Sequence, residues 1–409
     1  MEGKPQRVFR PNPKPFAIMK FSSDILPVIA DLNVTQESQV ELIQAAHGGN
    51  LTVIAQATGL EQSDLLDFSV SINPLGPPDG VQAICTDSIL FLTEYPDPNY
   101  GKLKTAFAEA VGISTECITV GNGSTELIYL LPKLIDRGKE VLIVSPCFSE
   151  YERAFQQDGK TIQHFMLSPN HNFSLPIDQF LFHLKQFPNL GGIVIGHPNN
   201  PTGTLLDVES FRTLSKYCER HGIFIFLDET FIDFVPTERS FFKYIDSCLH
   251  LILIRSLTKF YSLPGLRLGF GIMNPVNVQK IEAHQPPWSV NGLAQAVGIV
   301  LNQDITYPRM SRNLVETEKE YLSKSLSTIP DIEVFPSSAN FILFRLLGEY
   351  RDEATRFFET LLYQGMVLRN CGNFIGLDSS YFRVAVRNRK DNLIFLSRVN
   401  EFFQSGKKT

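Results

Sequence analysis

Between about residues 115 and 272 the chain alternates short apolar runs with longer amphipathic stretches. The runs read CITV, VLIV, GGIVIG, GIFIFL, HLILI and LRLGFGI. Near-continuous apolarity over about five residues suits strands covered on both faces, so the α/β alternation predicts a largely parallel sheet sandwiched by helices. Beyond Trp288 the pattern changes. NGLAQAVGIVLNQ and RNLVETEKEYLSKSLSTI carry helical periodicity, and ANFILFRL and YFRVAVR flank a further helix, EATRFFETLLYQG, which predicts a smaller α+β unit. The segment from His47 to Pro78 is expected to pack against that unit. The expected division is an N-terminal arm over 1–40, a large domain over 80–300 and a small domain built from 41–79 plus 301–409. The arm begins MEGKPQRVFRPNPKPFAIMK, basic, Pro-rich and without either period, so little order is expected there.

Composition narrows the function classes. At about 150 residues per domain, 409 residues predict two or three lobes. Lys+Arg 37 against Asp+Glu 43 gives a net charge of -6, which lacks the basic footprint of a nucleic-acid binder. No apolar run approaches the roughly 20 residues of a membrane span, and no secretory signal is evident. The cysteines (Cys85, Cys117, Cys147, Cys218, Cys248 and Cys371) are scattered, without metal-site spacing. They are expected to be free thiols in the cytoplasm, and no metal site is expected.

Candidate chemistry gathers where strands end, the edge at which open α/β sheets bind ligands. CITV runs into GNGST, where Gly121 and Gly123 allow a tight turn and Ser124 and Thr125 open a helix. That turn is either a plain cap or an anion site. VLIV ends near Phe148, which either fills the core or stacks on a planar ring. GGIVIG leads to HPNNPTG, where Asn200 sits at a turn rich in defined backbone geometry. GIFIFL delivers Asp228 and Glu229 from an apolar run, and a carboxylate there requires a cation or several donors. Its partner is a structural arginine or a protonated ring nitrogen. HLILI leads to RSLTK, and Lys259 is either a solvated amine or a desolvated one able to form a Schiff base. Ser256 and Arg267 lie close in sequence and could share a phosphate with the GNGST turn.

In this order GNGST, Phe148, HPNNPTG, Asp228 and SLTK with Arg267 resemble the pyridoxal-phosphate enzymes of the aspartate-aminotransferase fold, and the resemblance covers nearly all of the chain after about residue 45. It implies fold type I with pyridoxal 5'-phosphate held covalently by Lys259, its ring nitrogen by Asp228, its face by Phe148 and its ring hydroxyl by Asn200. Gly123, Ser124, Thr125, Ser256 and Arg267 match the phosphate cup. Tyr95 is similar to a tyrosine that reaches the site of a neighbouring subunit, which implies a homodimer. AAHGGNL at His47, DFSVSINPLGPP from Asp67, PPWSVNGLAQA around Trp288 and the segment holding Arg369 and Arg383 resemble the threonine-phosphate decarboxylases. That branch supplies aminopropanol phosphate for cobalamin, and the resemblance implies that His47, Ser71, Asn200, Arg369 and Arg383 meet the substrate. Histidinol-phosphate aminotransferases are near relatives and supply the alternative activity. Two positions depart from the patterns: DETF places Phe231 where aminotransferases carry a tyrosine, and Ser71 replaces an asparagine of the decarboxylase branch.

Overall fold

The computed structural model describes residues 48–86, 93–301 and 303–406, so the expected arm lies outside the described residues. After a short first strand, Leu66–Asp67 (β1), seven strands build the central sheet. They are Ile118–Asn122 (β2), Glu140–Ser145 (β3), Thr161–Met166 (β4), Leu190–Gly196 (β5), Phe224–Asp228 (β6), Leu251–Ser256 (β7) and Leu268–Met273 (β8). Their spatial order is β2-β8-β7-β6-β5-β3-β4. Strand β8 runs against both of its neighbours, and the remaining pairings are parallel.

Strand periodicity explains why the inner strands look uniformly apolar. Side chains alternate across a sheet, so successive residues enter different cores. Leu142, Val144, Ile193, Ile225, Leu227, Leu251 and Leu253 join one buried cluster, while Val141, Ile143, Val194, Phe226, Ile252 and Ile254 join the other. Both faces are dry, hence the continuous runs. The edge strand β4 differs, since its residues are exposed or half-buried. Its sequence, TIQHFM, lacks the apolar run that marks the inner strands.

A second sheet comprises Ile332–Val334 (β9), Phe341–Leu346 (β10), Arg369–Asn370 (β12) and Tyr381–Ala385 (β13), in the order β12-β13-β10-β9. The intervening Met366–Val367 (β11) pairs in parallel with β1. Ile342, Phe344, Phe382 and Val384 project into a third core with helices Ala354–Tyr363 and Arg389–Gly406, which Ile54, Leu65 and Phe68 also enter. The opposite face of β10 supplies Phe341 and Leu343 to the core that also lies on the large sheet. Arg383 stands between Phe382 and Val384 and is registered against Leu343, so alternation turns it away from the third core. No described helix is long and apolar enough to cross a membrane.

Candidate active site

A cavity of about 240 Å³ lies where the two sheets meet. Segments leaving β2, β3, β5, β6 and β7 bring Ser124, Phe148, Asn200, Asp228 and Lys259 to it. Arg267 immediately precedes β8, and because β8 is reversed its start lies at that same edge. The second sheet adds Arg369 and Arg383, and the chain around β1 adds Gly48, Ser69 and Ser71.

One end is shaped for an anion. Helix Gly123–Leu130 starts directly at the end of β2, and the first amides of a helix have no acceptor within it. Gly123 has φ +74° and lies so close to Arg267 that a Cβ would overlap the guanidinium. A Cβ on Gly269 would stand 2.5 Å from the Ser124 amide nitrogen, so glycine there allows strand and turn to touch. Arg267 itself adopts φ +59°, an uncommon conformation for a non-glycine residue and one found often at functional sites. Ser256 caps the short helix Leu257–Phe260 and lies 2.8 Å from the Thr258 hydroxyl.

In the middle, Asp228 and Glu229 take different partners. Glu229 is fully buried and receives Arg255 Nε at 3.0 Å and the Ser240 hydroxyl at 2.7 Å. The structural arginine therefore belongs to Glu229. Asp228 instead accepts from the Tyr151 hydroxyl at 2.6 Å and the Thr230 amide at 2.8 Å, with no cation at ion-pair distance among the described residues. Burial pushes its carboxyl up from the ordinary range, opposed by those two hydrogen bonds. Sequence reasoning assigned no role to Tyr151. The available signal was its position about one helical turn after Phe148, where the two rings meet edge to face at 5.7 Å.

Lys259 lies between the ends. Burial brings its ammonium down to about 8, helped by the charges of Arg383 and Arg267, while Asp67 pulls more weakly the other way. Its carbonyl accepts from the Asn73 amide at 3.0 Å, which ties the lysine helix to the segment carrying Ser71.

At the other end Arg369 and Arg383 face each other across the β12–β13 pair. Like charges directly opposite on neighbouring strands repel. Burial, reinforced by Arg369, brings Arg383 down to about 10. Arg383 donates to the Ser69 carbonyl at 2.6 Å and to Asn200 Oδ1, which leaves the Asn200 amide group as a donor. Arg369 donates to the Asn370 carbonyl and to Asn373. Arg383 Nε and Ser71 Oγ are buried without a hydrogen-bond partner among the described residues. Phe231 lines the cavity with its edge against Phe341 at 5.0 Å, and its ring offers no hydroxyl.

Three sequence candidates, His47, Tyr95 and Gly123, are not among the cavity's lining residues. His47 lies outside the described residues. Tyr95 is 83% exposed and packs against Trp288 at 4.9 Å, away from the cavity lining. Gly123 acts from behind, by admitting Arg267.

The arrangement suits pyridoxal phosphate: a glycine-lined anion turn, a buried carboxylate without a cation, an aromatic face at Phe148 and a desolvated lysine. Residues 63–399 match the family model for aminotransferase class I and II. The chain is 36% identical over 352 residues to the threonine-phosphate decarboxylase of Salmonella typhimurium, covering 86% of this chain and 94% of that one. It is 35% identical to the adenosylcobalamin biosynthesis bifunctional protein CobDQ of Leptospira interrogans, covering 87% of this chain and 41% of that protein. Among solved structures, the histidinol-phosphate aminotransferase from Clostridium acetobutylicum superposes with a TM-score of 0.78 at 32% identity, covering 83% of this chain and 100% of that one.

Proposed function

The chain belongs to the class I and II aminotransferase family, and on that premise we propose that it decarboxylates L-threonine O-3-phosphate to (R)-1-aminopropan-2-yl phosphate in cobalamin biosynthesis, using pyridoxal phosphate. The observation that carries the choice of substrate is the facing pair Arg369 and Arg383. Two buried guanidiniums call for two anionic groups in one molecule. Threonine phosphate has a carboxylate and a phosphate, whereas histidinol phosphate has only the phosphate.

Bound pyridoxal phosphate supplies a sink for the electron pair left when carbon dioxide departs. Lys259, neutral in an appreciable fraction near pH 8, is the group that attaches the cofactor and later moves a proton. Asp228, held by Tyr151 and Thr230, would keep the cofactor's ring nitrogen protonated. Phe148 would cover its ring face and the Asn200 amide would donate to its ring hydroxyl. Gly123, Ser124, Thr125, Ser256 and Arg267 form the phosphate cup. Arg369 and Arg383, with His47 and Ser71, would grip the substrate by its anionic groups, and the pose they impose would decide whether the carboxylate or the hydrogen of the α-carbon is lost.

We assign the segment 80–300 to a large cofactor-binding domain and 41–79 plus 301–409 to a small one. We also place the enzyme in the cytoplasm as a homodimer in which Tyr95 serves the neighbouring site, a role its exposure beside Trp288 supports. The alternative is an aminotransferase acting on histidinol phosphate or an aromatic amino acid, which the likeness to the Clostridium enzyme favours. Phe231 speaks against it, lacking the hydroxyl of the aminotransferase motif. The test is incubation with O-phospho-L-threonine without any keto acid. Release of carbon dioxide and aminopropanol phosphate is expected. No turnover there, together with 2-oxoglutarate-dependent turnover of histidinol phosphate, transfers the assignment to the aminotransferase.

A further inference from the structure

Behind the anion turn lies a polar cluster that the reaction scheme does not use. Glu126, on the first turn of helix Gly123–Leu130, reaches back so that Oε2 accepts from the Asn122 amide at 2.6 Å. The same oxygen accepts from Gln285 Nε2 at 3.0 Å and from the Ser289 hydroxyl at 3.1 Å. Gln285 also donates to the Val120 carbonyl at 2.7 Å, within β2. Ser289 lies 3.2 Å from the Tyr100 hydroxyl and directly follows Trp288. Trp288 has φ +58°, an outlier for a bulky residue, and its ring packs on Tyr95.

We propose that Glu126 is a positioning residue for the phosphate end of the cavity and that it couples that end to the exposed Tyr95–Trp288 pair. The reasoning starts from the turn. By taking the Asn122 amide, Glu126 fixes the residue before the helix, as a reciprocal cap does, and so orients the following amides toward the cavity. Gly123 and Gly269 let Arg267 and β8 close on this turn but contribute no side chain of their own to it, so the bond from Asn122 to Glu126 is a direct restraint on its aim. Through Ser289 and Gln285 the same carboxylate oxygen holds the strained Trp288 segment. One acceptor therefore sets both the aim of the anion turn and the pose of an exposed aromatic pair. The inference rests on the reading of this turn as the cofactor's phosphate cup.

Pyridoxal and pyridoxal phosphate share a chromophore and differ in the phosphate, and Trp288 is the single tryptophan of the chain. The full chain, stripped of cofactor, is titrated with each compound by absorbance and by tryptophan emission. Glu126→Ala is expected to weaken pyridoxal phosphate binding about tenfold while pyridoxal binding stays within twofold. In the wild type the Trp288 emission differs between the two saturated forms, and in Glu126→Ala the difference vanishes. Glu126→Gln keeps an acceptor oxygen and is expected to restore binding to within about threefold of the wild type. Glu126→Asp, whose shorter side chain draws the carboxylate back from the Asn122 amide, carries the test if the alanine variant does not fold, with the same loss expected for pyridoxal phosphate and pyridoxal again within twofold. In whichever of these two variants folds, unchanged pyridoxal phosphate binding, equal loss of both compounds or a retained emission difference overturns the proposal, as does a wild type whose two saturated forms emit alike. A wild-type chain that binds neither compound overturns the pyridoxal phosphate reading instead.

Discussion

The depressed proton affinity of Lys259 makes the cofactor-free protein a pH-dependent amine, and the size of the effect follows from its surroundings. At a value of about 8, roughly 9% of the amine is neutral at pH 7, against about 0.03% for a solvated lysine at 10.5. The site thus raises the reactive fraction about 300-fold. When pyridoxal phosphate is added to cofactor-free protein, the rate at which the visible band appears is expected to rise about tenfold from pH 7 to 9 and to level off above that. Arg383→Met removes the charge that depresses the lysine most, so its midpoint is expected to lie higher. A rate that keeps climbing in proportion to hydroxide through pH 10, with the same profile in both proteins, refutes the reasoning. The linkage has a definite sign. Between about 8 and 10.5 the unfolded chain binds more protons at this lysine than the folded one, so the group's contribution to stability improves as pH rises through that window.

Tyr151→Phe deletes the 2.6 Å bond to Asp228, worth about 1.5–3 kcal/mol for a charged acceptor. Its loss raises the proton affinity of Asp228 further. A carboxyl that holds its own proton would serve a ring nitrogen less well, so kcat is expected to fall about tenfold with KM within twofold; steady-state kinetics with an unchanged kcat would remove Tyr151 from the mechanism. Gly269→Ala places a Cβ 2.5 Å from the Ser124 nitrogen, and the expected result is at least a tenfold loss of pyridoxal phosphate affinity by absorbance titration. Ser71→Asn fills a buried position whose hydroxyl has no partner among the described residues, and it is expected to change the ratio of phosphothreonine to phosphoserine turnover about tenfold. If neither rate nor ratio moves, Ser71 does not meet the substrate.

The inner strands were legible because each is dry on both faces, and the segments that follow them carry the polar residues of the cavity. Strand β4 escaped notice because an edge position leaves Gln163 and His164 partly solvated. The reversal of β8 is invisible in its apolar pattern, since direction is set by pairing and not by periodicity. For the site, Asp228 and Lys259 announced themselves as charges beside apolar runs. Their partners did not. Which of Asp228 and Glu229 meets Arg255 depends on strand register, and the contact between Tyr151 and Asp228 spans 77 positions. Asn73 illustrates the same limit. It looks like part of the ligand segment, yet its amide group is spent on the Phe260 carbonyl, the Tyr307 hydroxyl and the Ser311 hydroxyl.

A net charge of -6 over the whole chain coexists with a cavity that gathers Lys259, Arg267, Arg369 and Arg383. Burial lowers the proton affinity of Lys259, Arg369 and Arg383, and neighbouring guanidiniums add to the effect at Lys259 and Arg383. On the proposed assignment, phosphate at Arg267 and a substrate anion at Arg383 would each cancel part of the positive charge that depresses Lys259, because both guanidiniums act on it. Burial is the larger cause of the depression, so the lysine keeps a neutral fraction suited to attack on an aldehyde. Partial relief of the charge contribution would favour a lysine able to receive a proton and return it to the substrate. On that assignment, Arg267 on one side of the amine and the Arg369–Arg383 pair on the other, placed by the reversal of β8 and the alternation of β13, would serve both the attachment of the cofactor and the final proton transfer.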